Sequence, residues 1–123
     1  MSDHIRVLSV DDHPLMREGI ALLIDSEPGM EMIAQASSGR EAIDCFREHK
    51  PDVTLMDLRL GDMSGFDVTA AIRADFPEAR IIILTTYDPE TDRQQALAAG
   101  ASAFVLKGAP PKLLEAIHRV HAG

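Results

Sequence analysis

At 123 residues, with 46% hydrophobic and 26% charged residues, the chain has the size and composition of one soluble globular domain. A formal net charge of −8 excludes a basic face for nucleic acid or anionic lipid, and a lone cysteine, Cys45, excludes an internal disulfide. No apolar run resembles a signal peptide or a membrane span, so a cytoplasmic location away from the membrane is expected.

The predicted elements alternate from the start. Ile5 to Val10 is a nearly continuous aliphatic run, as in a strand covered on both faces. A helix begins at Pro14, a good first-turn residue, and is expected to turn Leu15, Met16, Ile20 and Leu23 inward. Glu31 to Ala36 forms the second strand. Ser38, with Glu41 three residues on, has capping-box spacing, and the helix it opens puts Ala42, Cys45 and Phe46 at core spacing before Pro51. Val53 to Met56 is the third strand. Ser64 and Asp67 open a third helix that buries Val68, Ala71 and Ile72 and stops at Pro77. After a fourth strand, Ile81 to Thr85, Asp88 caps a helix with Pro89 in its first turn, and Gly100 supplies the left-handed residue at its end. Ala103 to Leu106 is the fifth strand. The last helix runs from about Pro110, with Leu113, Leu114, Ile117 and Val120 inward. Strict alternation over short loops predicts an α/β fold, a doubly wound five-stranded parallel sheet in the order 2-1-3-4-5.

In such a sheet, functional groups collect beyond the carboxyl ends of the strands, where strand order reverses. Asp11 and Asp12 follow the first strand, Asp57 the third, Thr85 and Thr86 the fourth, and Lys107 the fifth. Three carboxylates in a partly desolvated site repel one another unless a cation compensates them. A hard divalent ion, Mg²⁺ or Mn²⁺, suits these oxygen donors, and no His-Cys spacing offers a zinc site. An Asp beside such an ion can act as a nucleophile and form an acyl phosphate, with Thr85 hydrogen-bonding a phosphoryl oxygen and Lys107 contacting it as a point charge. Taken singly, each residue has a plainer role: Asp after a strand commonly caps a helix or starts a turn, and a terminal Lys is usually solvated. Their joint arrival at one end of one sheet is what argues for a site.

Val-Asp-Asp-His-Pro at 10–14, Pro-Asp-Val-Thr-Leu-Met-Asp-Leu at 51–58, Leu-Thr-Thr-Tyr at 84–87 and Gly-Ala-Ser-Ala-Phe-Val-Leu-Lys at 100–107 carry a resemblance. With them the chain, over residues 1–123, resembles the response-regulator receiver domain of two-component signalling, a flavodoxin-like (βα)5 fold. The resemblance implies that Asp57 is phosphorylated from a phosphohistidine on a sensor histidine kinase or phosphotransfer protein. It implies a Mg²⁺ site made by Asp12, Asp57 and the backbone carbonyl of Arg59, with Asp11 contributing through water. Thr85 and Phe104 would be the switch pair that remodels the surface of the fourth helix, fifth strand and fifth helix, and Arg59 and Tyr87 would tune the lifetime of the phosphoryl group. Self-association as a homodimer on phosphorylation is a further expectation. Such a domain catalyses only its own phosphorylation and dephosphorylation and is not an enzyme acting on other substrates.

Two positions depart from the family pattern. Leu60 and Gly61 stand where the family usually has Met-Pro, which predicts a more mobile loop, and Gly108 replaces a proline after Lys107. Asp-Asp-His-Pro at the start, Arg17 with Gly19, and Lys-Gly-Ala-Pro at 107–110 look most like the subfamily with a LuxR-type helix-turn-helix output domain. DNA would then be read only through an output domain that these residues do not include. His13 stands next to the acidic site in sequence, which offers it a place there, but its expected role is to cap or pack beside Pro14. Other chemistries fit less well: haloacid-dehalogenase-type phosphatases carry a second Asp where Arg59 stands, and flavin binding needs a phosphate loop rich in Ser, Thr and Gly after the first strand. A receiver-like interaction module without phosphoryl chemistry would be expected to lose an acid, Thr or Lys, and this sequence keeps them.

Overall fold

The alternation becomes β1 (Ile5–Val10), α1 (Pro14–Asp25), β2 (Met30–Ala36), α2 (Gly39–His49), β3 (Val53–Asp57), α3 (Gly65–Asp75), β4 (Ile81–Thr85), α4 (Glu90–Ala99), β5 (Ala103–Leu106) and α5 (Pro110–Ala122). The computed structural model describes residues 4–86, 90–108 and 110–123. Among them the strands pair in parallel in the order β2-β1-β3-β4-β5, as the sequence predicts.

Side chains alternate across a strand, so each strand feeds two cores. Val53, Leu55, Ile82 and Leu84 pack with Ile20 and Ile24 of α1 and Leu113 and Ile117 of α5. Leu8, Met56, Ile81 and Ile83 pack on the other face with Phe46, Val68, Ile72 and Ala96 of α2, α3 and α4. Carried to the strand ends, the same alternation places Asp57, after Val53 and Leu55, on the α1/α5 side. It places Thr85, after Ile81 and Ile83, on the side of Phe104, whose strand partner is Ile83.

The inward face of α1 differs from expectation. Ile20 and Ile24 are its buried residues, Met16 and Leu23 pack at the edge of that core, and Leu15 is 83% exposed. The reason is angular: Met16, Ile20, Leu23 and Ile24 form one stripe, whereas Leu15 and Leu22, seven residues apart, share a row on its far flank. In α3, Thr69 is buried with Val68 and Ile72, and Ala71 is only half-buried.

Local hydrogen bonding fixes the helix ends. Ser38 Oγ accepts from the Glu41 N–H at 3.1 Å, but the Glu41 carboxylate reaches past Ser38 to accept from the Ser37 N–H at 2.6 Å. Ser64 Oγ caps α3 through the Asp67 N–H. Gly100 adopts φ 103°, the left-handed conformation expected after α4. Lys50 adopts it as well, at φ 45°, and the Arg6 guanidinium donates to the Lys50 and His49 carbonyls at 2.9 and 2.8 Å, a cation placed on the carboxyl end of α2. Asp88 and Pro89, expected to open α4, lie outside the described residues, as does Tyr87.

Candidate functional site

Parallel registry brings the predicted residues to one end of the sheet. Asp11 directly follows β1, and its backbone N–H donates to the Ala36 carbonyl, so the turn into α1 is held at β2. Asp57 ends β3, and the Leu58 N–H extends the pairing to the Leu84 carbonyl. The Lys107 N–H donates to the Thr85 carbonyl at 2.8 Å, which ties the ends of β4 and β5 together.

Lys107 links the acids. Its Nζ lies 3.0 Å from Asp11 Oδ2 and 3.0 Å from Asp57 Oδ1, and the three side chains are only 6%, 2% and 7% exposed. Burial and the two carboxylates act oppositely on this ammonium, and the carboxylates prevail, so its pKa is raised. Burial pushes the Asp11 carboxyl up, but the His13 N–H, Lys107 and the His13 ring outweigh it, and its pKa is lowered. At Asp57, burial dominates over the opposing Lys107 ammonium, and the pKa is raised. The two acids are thus set apart: Asp11 is a stable anion, while Asp57 is the more basic carboxylate.

Their oxygens also differ in occupancy. Asp11 Oδ1 accepts from the His13 N–H and faces His13 Nδ1 at 2.9 Å, and its Oδ2 takes Lys107. Asp57 Oδ2 is buried without a hydrogen-bond partner among the described residues. An orphaned buried carboxylate oxygen calls for a compensating group. Asp11, Asp12, His13 and Asp57 place one ligating atom each within 4.8 Å of one another, a donor set that fits a divalent cation.

The structure brings Asp11 and Asp57 into direct reach of Lys107, and it places a ligating oxygen of Asp12, at the solvent edge, within 4.8 Å of the ligating atoms of Asp11, His13 and Asp57. Thr85 is buried at the end of β4, and Phe104 is already turned inward at 8% exposure, with the Arg93 guanidinium 5.1 Å from its ring centre. Arg59 is exposed on the loop after β3, where it bridges to Ser64.

Three supporting residues take roles other than those expected of them from the sequence. His13 has extended backbone at the start of α1 and makes no side-chain cap; its ring instead joins the acids, because two carboxylates within 3.0 Å attract Nδ1 more than an N–H one turn away. Arg17 donates to the Asp11 carbonyl at 2.7 Å. Asp62 accepts from the Gly39 and Arg40 N–H groups at 2.8 and 3.0 Å, which lowers its pKa and anchors the β3–α3 loop to the start of α2. That anchor and the buried side chain of Leu60 flank Gly61 and limit the freedom a glycine gives the loop.

Gly65 fixes the other end of this loop. A Cβ there would lie 3.0 Å from Leu58 Cα and closer still to the Asp57 carbonyl oxygen, both of them backbone. Gly65→Ala is therefore expected to destabilise the domain by about 2 kcal/mol, through overpacking that displaces the Asp57 backbone. Urea unfolding of the variant checks this; an unchanged midpoint would show that the loop relaxes freely.

Residues 7–118 match the family model described as the response regulator receiver domain. The chain is 41% identical to a nitrate/nitrite response regulator homologue of Haemophilus influenzae over all of its own length and 60% of that protein's. It is 45% identical to the nitrate/nitrite response regulator NarP of Escherichia coli over 91% of this chain and 53% of the relative. It thus spans little more than half of these proteins. Among solved structures, a LuxR-family two-component response regulator from Aurantimonas sp. SI85-9A1 superposes with a TM-score of 0.94 at 39% identity, covering 97% of this chain and 86% of the other. CheY in a CheX–CheY complex with BeF3 and Mg²⁺ from Borrelia burgdorferi gives 0.89 at 26% identity, covering 94% and 88%. The match over nearly the whole sheet and its acidic end makes this chain a member of the response-regulator receiver family of two-component signalling.

Proposed function

We propose that Asp57 is the phosphoacceptor of this domain, taking a phosphoryl group from a phosphohistidine on a sensor histidine kinase or phosphotransfer protein. The observation that carries this reading is the unpartnered, buried Oδ2 of Asp57 beside an Oδ1 already held by Lys107. Asp11, by contrast, has both oxygens engaged, and Asp12 is at the solvent edge. Receiver domains are signalling domains that interact with histidine kinases and bind Mg²⁺ at an acidic pocket.

In the transfer, the Asp57 carboxylate attacks phosphorus, the P–N bond to the donor histidine breaks, and the departing imidazole leaves neutral or takes a proton from water. Lys107 stays within reach of the new phosphoryl oxygens from its place at Oδ1, and the Thr85 hydroxyl is the donor at the end of the neighbouring strand. Asp12, Asp57 and the Arg59 carbonyl, with Asp11 nearby, would hold a Mg²⁺ or Mn²⁺ ion, which would neutralise the phosphoryl charge when bound. The Borrelia CheY complex, with BeF3 and Mg²⁺ together, supports such a pairing of phosphoryl-like group and metal.

The readout is a shift between two conformers, with the phosphoryl group supplying the differential contacts. Thr85 moves toward it, and the inward position of Phe104, on the same side of the sheet with Arg93 of α4 against its ring, is the packing this shift favours. Leu97 of α4 and Leu106 of β5, 57% and 42% exposed, give the remodelled surface apolar area for a homodimer on phosphorylation. The LuxR-family response regulators among the solved structures, one of them described as DNA-binding, support a LuxR-type transcriptional output, and we place the domain in the cytoplasm.

The acyl nature of the product tests the reading. Incubation with phosphoramidate and Mg²⁺ is expected to load one phosphoryl group that neutral hydroxylamine removes, as it cleaves acyl phosphates. A hydroxylamine-resistant label would point to a hydroxyl or histidine acceptor instead.

Arg59 and Tyr87 set how long the label lasts. By the family resemblance, large side chains two residues after Asp57 and Thr85 would hinder the approach of an in-line water. The double variant Arg59→Ala with Tyr87→Ala is expected to lose its phosphoryl group about tenfold faster, about 1.4 kcal/mol of barrier. An unchanged half-life would show that these side chains do not shield Asp57.

A further inference from the structure

We propose that His13 is a nitrogen ligand of the divalent-cation site, so that this domain discriminates in favour of borderline ions such as Co²⁺ and Ni²⁺ to an extent its carboxylates alone would not give. The inference rests on the reading of the acidic cluster as a cation centre and adds a donor to it.

The geometry comes first. His13 Nδ1 lies 2.9 Å from Asp11 Oδ1, 3.0 Å from Asp12 Oδ1 and 4.0 Å from Asp57 Oδ2. The ring nitrogen thus lies within 4.8 Å of a carboxylate oxygen on each of the three acids, close enough for it to share an ion with them. A second observation points into the same space: Asp57 Oδ2, on a side chain 7% exposed, has no hydrogen-bond partner among the described residues and lies 4.0 Å from this nitrogen.

Local structure keeps the ring available. His13 caps nothing with its side chain, which is 68% exposed, and Pro14 at the first turn fixes the backbone direction behind it. Asp11 Oδ1 also accepts from the His13 N–H at 2.9 Å, so one carboxylate oxygen holds backbone and ring in register.

Chemistry then sets the preference. Mg²⁺ seeks oxygen and gains little from imidazole, whereas affinity for nitrogen-containing sites rises from Mn²⁺ through Co²⁺ to Ni²⁺. An all-oxygen receiver site has no donor of this kind, so His13 biases the choice of ion without altering the acid that accepts the phosphoryl group.

Two measurements on the metal alone test this. Mn²⁺ bound at a site from which excess Mg²⁺ displaces it should show directly coordinated nitrogen by electron spin echo modulation, and the signal should vanish in His13→Ala. By calorimetry, His13→Ala should weaken Ni²⁺ binding at that site on the order of tenfold or more and change Mg²⁺ binding less than threefold. The exposed ring makes loss of folding improbable as a cause, and a parallel thermal melt of the variant checks it. Absence of nitrogen coupling, or equal effects on both ions, would overturn the role of His13 while leaving the cation site standing. Failure of the unaltered chain to bind any of these ions would remove the site reading as well.

Discussion

Lys107→Ala is expected to remain folded yet to lose about 3 kcal/mol of stability in the absence of metal, because it strands two buried carboxylates next to each other. The ammonium sits 3.0 Å from an oxygen of each, and neither acid exposes more than 7% of its side chain. A domain of this size has total stability on the order of 5–15 kcal/mol, so cooperative unfolding persists. Millimolar Mg²⁺ should restore part of the loss, since an ion that binds only the folded state stabilises it by mass action. The deficit should also depend on pH with a definite sign. Burial raises the Asp57 pKa, so its protonation favours the fold below the unfolded pKa, and that contribution is lost as pH rises through the folded value. The variant's deficit is therefore full at neutral pH and shrinks toward acid. Urea melts with chelator at neutral and mildly acidic pH give the comparison; equal deficits at both would mean that Lys107 acts through packing and not through charge.

Asp57→Asn is expected to act in the opposite direction on the fold while abolishing the chemistry. The amide removes an ionised group whose burial is only partly offset by Lys107, and it leaves the Lys107–Asp11 pair in place. Metal-free stability at neutral pH should be equal to or above that of the unaltered chain, and the difference should close on acidification. Mg²⁺ affinity should fall on the order of tenfold, since one of few anionic donors is lost, and phosphoryl loading should disappear. A variant that is less stable in chelator would show that the Asp57 charge is well compensated, contrary to its raised pKa.

These contrasts separate what the residues disclosed from what they concealed. The strand order and all five strands were legible, because aliphatic runs bounded by Pro, Gly and Asp carry the parallel-sheet signal directly. The acids and Lys107 were legible for a related reason: each immediately ends a strand, so its position follows from the strand boundary alone. The inward face of α1 was not, since Leu15 and Leu22 are as apolar as Ile20 and Ile24, and only the angular phase of the helix against β1 and β3 decides which pair is covered. For His13 the sequence leaves two places open, a cap beside Pro14 or the acids just before it, and the side-chain torsion that turns the ring to Asp11 and Asp12 decides for the second. Asp62 acts across 23 residues of sequence on the Gly39 N–H, a contact that exists only once α2 and the β3–α3 loop are adjacent. Lys50, a lysine in left-handed conformation, had only the following proline as a cue, and the Arg6 bonds that secure it come from another strand.

The most direct test of the central claim is to locate the phosphoryl group itself. After incubation with acetyl phosphate and Mg²⁺, intact-mass analysis should show a single phosphoryl addition, peptide mapping should place it on Asp57, and both Asp57→Ala and excess chelator should eliminate it. Undiminished labelling in Asp57→Ala, or a label mapped to Asp11 or Asp12, would contradict the account.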